Sequence, residues 1–263
     1  MAANGSPIRV LIHGISGRMG GEVLAAVSAA PDMETVGGVD LRAPSGPAAD
    51  VPFYSDVPSA IEACGPDVMV DFTIAAASPA ALKAAAERGV HAVAGTTGIP
   101  QAELDAIDAL ARENGVGVVI APNFAIGAVL LVQIAKQLGR FFEVAEVVEQ
   151  HHDAKIDAPS GTALAIARAL VEGRGEPFAR QMPEREPAPG SRGAELDGVS
   201  IHAQRMPGRL AHHEIVLGTL GQTLSLRHDT VGRDCYMPGV LTAVRQVIQF
   251  KGLVIGLENL LDL

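Results

Sequence analysis

Short apolar runs alternate with helix-like segments over the first half of the chain. The apolar runs, which end at Gly, Asp or Pro, are Ile8–His13, Thr35–Val39, Val68–Val70, His91–Ala94 and Val116–Ala121. Segments of helical composition lie between them, at Met19–Ala30, Pro79–Arg88 and Pro100–Asn114. Strands that alternate with helices of about 10–15 residues predict a parallel sheet covered by helices on both faces.

The pattern changes after residue 140. Glu143–Gln150 predicts a strand and Ser160–Glu172 a helix, while the segment 173–192, rich in Pro, Gly and charged residues, predicts a long mobile loop. Three strand-like runs follow without a helix between them: Val199–Arg205, His213–Gly218 and Thr223–His228. The glycines at 218 and 221 favour a hairpin between the last two runs, so this half predicts a mixed, mainly antiparallel sheet.

Composition and charge exclude several classes of protein. Apolar residues make up 48% of the 263 residues, which excludes a disordered chain. The net charge is −10 and aromatic residues make up only 3%, so we expect no nucleic-acid partner. Two cysteines, Cys64 and Cys235, fit neither a disulfide framework nor a zinc-binding spacing. Together these features favour a globular protein that binds small molecules.

Neither a membrane span nor a signal peptide is predicted. The apolar segment Val116–Ala135 contains Pro122 and Asn123 near its middle, so we interpret it as a strand, a turn and a buried helix. The first ten residues contain no basic stretch followed by an apolar stretch. We therefore expect a cytoplasmic protein.

A glycine motif follows the first predicted strand and opens the first predicted helix. Gly14, Gly17 and Gly20 form a G-x-x-G-x-x-G pattern, which at this position favours a dinucleotide site. Such glycines let a pyrophosphate approach backbone N–H groups at a helix N-terminus. The alternative is an ordinary glycine-rich turn. The candidate nucleotide-binding residues of this turn are Gly14, Ile15, Ser16, Gly17, Arg18 and Met19.

Asp40 and the ends of three later strands extend the candidate nucleotide site. Asp40 ends the second strand, where a carboxylate can accept hydrogen bonds from ribose hydroxyls and would repel a 2′-phosphate, which favours NADH; Arg42 could offset that repulsion for NADPH. The alternative for Asp40 is a turn residue at the strand end. The candidates after the later strands are Phe72, Gly95, Thr96, Thr97, Ala121, Pro122, Asn123 and Phe124.

The segment from His151 to Thr162 carries the candidate chemistry. His151 or His152 can donate a proton near neutral pH, and Lys155 adds a positive charge. Ser160 is a good helix N-cap, and Gly161 and Thr162 would then present free N–H groups to a carboxylate. Adjacent histidines in an extended chain point to opposite faces, so we expect no metal here.

The chain resembles the dihydrodipicolinate reductases (4-hydroxy-tetrahydrodipicolinate reductases). The resemblance rests on GISGRMG at Gly14–Gly20, DFT at Asp71–Thr73, GTTG at Gly95–Gly98, APNF at Ala121–Phe124 and HHDAKIDAPSGTAL at His151–Leu164. It implies the NAD(P)H-dependent reduction of 4-hydroxy-tetrahydrodipicolinate to tetrahydrodipicolinate in diaminopimelate and lysine biosynthesis. It also implies a homotetramer, with His151 as proton donor, Lys155 as its partner, and His152, Gly161 and Thr162 on the substrate.

Two domains are therefore expected in an α/β protein. Residues 1–122 would form a Rossmann-type parallel-sheet domain, joined by a C-terminal helix within 233–263. Residues 123–232 would form a smaller α+β domain for substrate binding and oligomerisation. The family has polar residues at positions comparable to Arg192, Arg205, His213 and Arg233, whose roles stay open.

Two other functions are compatible with these motifs. One is a different two-domain NAD(P)-dependent dehydrogenase that acts on an amino-acid precursor. The other is a redox sensor that binds NAD(P)H without turnover, although a sensor has no need for His151, Lys155 and an anion-binding turn in one loop.

Overall fold

The computed structural model describes residues 5–261, and the chain divides into two compact units. The first unit comprises residues 5–124 and 236–261, and the second comprises residues 125–235. The boundaries expected from sequence lay after residues 122 and 232. Residues 1–4 and 262–263 of the expected first domain lie outside the described residues.

The first unit contains a seven-stranded sheet. Its strands are β1 (Ile8–His13), β2 (Met33–Val39), β3 (Phe53–Tyr54), β4 (Val68–Asp71), β5 (His91–Ala94), β6 (Gly117–Ile120) and β12 (Gly252–Ile255). They lie in the order β12-β6-β5-β4-β1-β2-β3, and every neighbouring pair is parallel. Its helices are α1 (Arg18–Ala29), α2 (Val57–Cys64), α3 (Ser78–Glu87), α4 (Gln101–Glu113) and α7 (Met237–Val247). The predicted parallel sheet is confirmed. Its strand order reverses between β1 and β4, which is where ligands bind in such sheets.

The segment 233–263 contains the expected helix, as α7, together with elements that the sequence did not predict. A short 3-10 helix at Arg233–Tyr236 precedes α7, and β12 follows it as a parallel edge strand on β6. Helix α7 ends at Val247, and Gly252, with a φ of 98°, begins β12, whose Leu253 amide donates to Asp108 Oδ1 at 2.7 Å. The sheet edge offers β12 hydrogen bonds that a continued helix could not make.

Three elements between β2 and β4 were not predicted from the sequence. These are a 3-10 helix at Gly46–Asp50, the two-residue strand β3 and the helix α2. Asp56 caps α2 by accepting a hydrogen bond from the Ser59 amide at 2.9 Å. This cap, followed by a proline at position 58, is a start signal that the sequence did contain.

The second unit contains a five-stranded mixed sheet. Its strands are β7 (Val144–His151), β8 (Ala194–Leu196), β9 (Val199–Arg205), β10 (Ala211–Thr219) and β11 (Gln222–Thr230), in the order β11-β10-β7-β9-β8. Its helices are α5 (Ile126–Leu138) and α6 (Gly161–Arg174). Only the β7–β9 pair is parallel among the pairs of this sheet. The predicted mixed sheet and the β10–β11 hairpin are therefore confirmed.

One face of this sheet packs against α5 and α6 and changes from apolar to polar along the strands. Strand β7 alternates between buried and half-buried residues, and its buried positions are Ala145, Val147, Glu149 and His151. Ala145 and Val147 lie in an apolar core that includes residues of both helices. The polar end of the face places Glu149 opposite His213 of β10 and Ala203 of β9. The buried face thus ends in charged and histidine side chains.

The apolar segment Val116–Ala135 folds as strand β6, a turn and the first part of α5, as predicted. Across residues 5–261, none of the helices combines the length and the apolar character that crossing a membrane requires. The segment 175–193 forms neither helix nor strand.

Helices α5 and α6 approach so closely that one glycine has no room for a side chain. A Cβ on Gly173 would lie 1.7 Å from the Lys136 carbonyl oxygen of α5. We predict that Gly173→Ala lowers the free energy of unfolding by about 1–3 kcal/mol, because the helices must separate. Urea denaturation followed by circular dichroism measures this change.

Gly21→Ala is the matched control, because Gly21 is also helical and no described atom lies within 4 Å of the place its Cβ would take. This variant should gain up to about 1 kcal/mol from the better helix propensity of alanine. Equal stability of the two variants would contradict the close approach of α5 and α6.

Candidate active site

The turn between β1 and α1 is built on glycines that leave space for the backbone alone. Gly14 has a φ of 87°, and a Cβ there would lie 2.9 Å from the Phe72 carbonyl oxygen. A Cβ on Gly20 would lie 2.2 Å from the Gly14 carbonyl oxygen, so α1 packs directly on the turn. Gly17 is the N-cap of α1 and has no side chain to cap the first amides. These amides and the helix dipole fit a dinucleotide pyrophosphate.

Asp40 lies beside this turn, where the sequence placed it. Its carboxylate accepts hydrogen bonds from the Ser16 amide at 3.0 Å and the Leu41 amide at 2.7 Å. The Ser16 hydroxyl donates to the Arg42 carbonyl oxygen at 2.8 Å. The glycine turn and the acidic residue after β2 are therefore joined, as a pyrophosphate and its adjoining ribose require.

A fully buried carboxylate, Asp71, links the ends of neighbouring strands in the first unit. It contacts the Thr73 hydroxyl at 2.7 Å, the Thr96 hydroxyl at 3.0 Å, His13 Nδ1 at 2.9 Å and the Ser78 hydroxyl. Burial raises the pKa of Asp71, but hydrogen bonds from its neighbours, with His13 the strongest, outweigh it and leave the pKa below its usual value. Asp71 thus connects β1, β4, α3 and the segment after β5.

The predicted candidates after β4, β5 and β6 also lie close together. The rings of Phe72 and Phe124 have centroids 5.8 Å apart, and a Cβ on Gly95 would lie 2.2 Å from the Phe72 ring. Thr96 is buried through its bond to Asp71, whereas Thr97 is exposed. Ala121, Pro122 and Asn123 lead from β6 to Phe124.

In the second unit, the buried carboxylate of Glu149 contacts His151, the last residue of β7. Glu149 Oε2 lies 2.5 Å from His151 Nδ1, and Arg205 donates to both oxygens of Glu149 at 2.8 Å. Burial raises the pKa of Glu149, but hydrogen bonds from His151, Arg205 and the Ser160 amide lower it to about 2. Glu149 is therefore ionised at neutral pH.

Ser160 caps α6 and is occupied on both its amide and its hydroxyl. Its amide donates to Glu149 Oε1 at 3.0 Å, and its hydroxyl accepts from the Ala163 amide at 3.2 Å and lies 3.1 Å from His213 Nε2. The side chain is buried, so Ser160 shapes the start of the helix from the inside. Gly161 is exposed, and no described atom lies within 4 Å of the place its Cβ would take.

Burial, together with repulsion by His151, lowers the pKa of His213 to about 4 despite the attraction of Glu149. His213 is therefore neutral at pH 7. Its ring lies edge-on to that of His151, with the centroids 5.3 Å apart. His213 therefore adds no positive charge beside His151 and Glu149.

The loop between β7 and α6 carries Lys155. Its Nζ lies 2.6 Å from Asp157 Oδ1, and this hydrogen bond is the main cause that lowers the pKa of Asp157. The Lys155 amide donates to the His152 carbonyl oxygen at 3.2 Å. Arg205 donates to the Asp157 carbonyl oxygen at 2.6 Å, so the loop is tied to β9. His151, Lys155 and the start of α6 thus belong to one connected structure.

Sequence reasoning missed Glu149 and left the roles of Arg205 and His213 open. The missed signal is a charged residue two positions before His151, on the buried face of an otherwise apolar strand pattern. Arg192 instead pairs with Glu146 on the opposite face, and Arg233 begins a 3-10 helix. Within residues 5–261, no group of three or more His, Cys, Asp or Glu side chains is arranged to hold a metal ion.

Comparison with known proteins decides the family. Residues 8–124 match "Dihydrodipicolinate reductase, N-terminus" and residues 127–261 match "Dihydrodipicolinate reductase, C-terminus". The chain belongs to the dihydrodipicolinate reductase family. The resemblance expected from the motifs is thereby confirmed over almost the whole chain.

Individual relatives within the family are similar over their full length. The chain is 47% identical over 264 residues to 4-hydroxy-tetrahydrodipicolinate reductase of Dehalococcoides mccartyi, covering 98% of this chain and 100% of the relative. It is 43% identical to the reductase of Moorella thermoacetica, covering 97% and 98%. A solved structure, the dipicolinate-bound dihydrodipicolinate reductase of Paenisporosarcina sp. TG-14, superposes with a TM-score of 0.89 at 39% identity, covering 96% of this chain and 99% of that one.

Proposed function

We propose that the chain reduces 4-hydroxy-tetrahydrodipicolinate with His151 as the proton donor and Lys155 as a substrate-binding cation. The activity is that of the family: an NAD(P)H-dependent reduction that yields tetrahydrodipicolinate, in diaminopimelate and lysine biosynthesis. The assignment of roles rests on one observation. His151 Nδ1 lies 2.5 Å from the ionised Glu149, which also accepts from the Ser160 amide at the start of α6, and Lys155 lies in the loop between His151 and Ser160.

The substrate has two carboxylates, and the second unit offers two kinds of partner for them. Lys155 supplies a full positive charge. The N–H groups of Gly161 and Thr162 open helix α6, where the helix dipole adds partial positive charge. His152, half-buried and next to His151, completes the proposed substrate set. Ser160 contributes by fixing the helix start, since its own polar groups are occupied.

Reduction of a conjugated cyclic imine requires a hydride and a proton. When bound, the dinucleotide supplies the hydride. Negative charge then develops toward the ring nitrogen, and an acid must neutralise it. His151 fits this role because Glu149 engages Nδ1 and leaves Nε2 to break its N–H bond and give the proton to the substrate.

The first unit holds the residues that fit the dinucleotide. The open start of α1 suits the pyrophosphate, and Asp40 suits the adenosine ribose. The remaining candidates of this proposal are Ile15, Ser16, Arg18, Met19, Arg42, Phe72, Gly95, Thr96, Thr97 and the segment 121–124. Because the Asp40 carboxylate faces the turn, we propose that NADH is used at least as well as NADPH.

We also propose that the chain forms a homotetramer through the second unit. One face of its sheet packs on α5 and α6, while Val148 and Val216 on the opposite face stay half-exposed. The edge strand β11 is exposed from Gln222 to Ser225. Association of identical chains would cover such an edge. The cytoplasmic location expected from the sequence stays a prediction.

Replacement of the proposed acid tests the function. His151→Gln should lower kcat by about 10²–10⁴-fold, the usual contribution of a general acid, and leave NADH binding unchanged. His202→Gln is the matched control, because His202 contacts a different carboxylate, Glu146, at 2.9 Å on the opposite face of the sheet. Steady-state rates with freshly made substrate measure both variants. Near wild-type turnover in His151→Gln would remove His151 from this role.

Lys155→Ala separates substrate binding from cofactor binding. Loss of a charge-assisted hydrogen bond, worth about 1.5–3 kcal/mol, should lower kcat/KM by about 10- to 150-fold. Titration calorimetry should show weaker binding of pyridine-2,6-dicarboxylate and unchanged binding of NADH. Lys136→Ala, which breaks a surface pair with Glu172 at 2.6 Å, is the control. Loss of NADH binding with intact dicarboxylate binding would contradict the assignment of this loop.

Cofactor preference tests the role of Asp40. Asp40→Ala should raise the ratio of kcat/KM with NADPH to that with NADH by about tenfold, since repulsion of the 2′-phosphate is relieved. Asp56→Ala removes a comparable amide-accepting carboxylate, at the start of α2, and should leave the ratio unchanged. If the wild type already prefers NADPH tenfold or more, Asp40 does not set the preference.

A further inference from the structure

The carboxylate of Glu149 cannot turn without breaking contacts at both oxygens. Oε2 accepts from His151 Nδ1 and one guanidinium nitrogen of Arg205, and Oε1 accepts from the other guanidinium nitrogen and the Ser160 amide. The side chain has no exposed surface, so water offers no substitute partners. The His151 ring, itself only 8% exposed, is therefore held in one orientation.

An ionised carboxylate can only accept hydrogen bonds, and this decides where the protons of His151 lie. Nδ1 must carry a hydrogen that points at Glu149, so Nε2 is the nitrogen free to give a proton away. After donation the ring is neutral with its hydrogen still on Nδ1, and Nε2 regains a proton from water.

The same carboxylate fixes the two ends of the loop that carries Lys155. At the first end it contacts His151, the last residue of β7, and at the other end it accepts from the Ser160 amide, which begins α6. Its partner Arg205 also donates to the Asp157 carbonyl oxygen within the loop, and the Met206 amide donates to the His151 carbonyl oxygen at 3.1 Å. One side chain thus orients the proposed acid and sets the position of the proposed carboxylate site.

We propose that Glu149 is the positioning residue of the reductase site, which selects the Nδ1–H form of His151, fixes the orientation of its ring and anchors the start of α6. This inference rests on the proposed role of His151. Glu149 touches no reacting atom in this scheme and acts only through His151, Arg205 and Ser160.

Several other ionisable groups surround the pair. On the same face of the sheet these are Arg205 of β9, His213 of β10 and His228 of β11, and the loop adds His152, Asp153, Lys155 and Asp157. Burial lowers the pKa of His213 to about 4 and also lowers the pKa of His228. His213 therefore carries no charge in the range where a reductase is assayed, and Arg205 is the cation in direct contact with Glu149.

The sheet provides its own matched control. Glu146, on the same strand but the opposite face, pairs with Arg192 at 2.5 Å and His202 at 2.9 Å. Glu149→Gln should lower kcat by about 10- to 1,000-fold, because an amide cannot hold both His151 and Arg205 as the carboxylate does. KM should change little, because the glutamine oxygen can still accept from the Ser160 amide at the start of α6. Glu146→Gln should keep the wild-type kcat.

Two further measurements separate positioning from mere structure. In the double variant Glu149→Gln/His151→Gln, kcat should fall no lower than in His151→Gln alone, because glutamine can keep the contact with the Ser160 amide and what it loses acts through His151. In the wild-type protein, NMR of ¹⁵N-histidine, with the signal assigned by its loss in His151→Gln, should show neutral His151 protonated at Nδ1. Because this measurement uses the wild-type protein, it tests the proposal even if Glu149→Gln does not fold.

The outcomes are distinguishable. A slow His151→Gln with a fast Glu149→Gln overturns the role of Glu149 and leaves that of His151 intact. A fast His151→Gln overturns both roles. Neutral His151 protonated at Nε2 in the wild type, or a double variant much slower than His151→Gln, also overturns the positioning role.

Discussion

The second unit depends on one buried negative charge, that of Glu149. A carboxylate withdrawn from water is costly unless all its hydrogen bonds are replaced, and here two strands and a helix start supply the replacements. Because the pKa of Glu149 falls from 4.5 to about 2 on folding, its contribution to stability is complete above about pH 4.5 and is lost as the pH falls toward 2. The network that organises the loop is therefore intact throughout the neutral range.

The first unit uses the same device in a different fold. Asp71 ends the central strand β4 without any exposed surface, and its partners come from β1, the start of α3 and the segment after β5. In both units a buried carboxylate at a strand end fixes loops that carry candidate ligand-binding residues. Loops are usually the most mobile parts of a protein, and a buried acceptor with several donors is a direct way to make them rigid.

The polar residues of the second unit differ in burial, and this difference matches their proposed roles. His151 is buried and fixed, whereas Lys155 is partly exposed and pairs with Asp157, which is half-exposed. A proton donor requires a set direction, while a cation that attracts a carboxylate works over a wider range of positions. Ser160 caps α6 from the buried side, so Gly161 and Thr162 are the residues of the helix start that can face a ligand.

The sequence by itself determined the elements whose signals are local. The β-branched runs and glycine stops predicted the parallel sheet. The motifs G-x-x-G-x-x-G and HHDAKIDAPSGTAL indicated two candidate ligand-binding loops and predicted the family. Tertiary structure decided what depends on distant partners. Strand β12 exists because β6 offers an unpaired edge, and Glu149 matters because Arg205, 56 positions away, and Ser160 complete its hydrogen bonds. A single charged residue on a strand does not reveal those partners, since only the folded sheet brings β7, β9 and the start of α6 together.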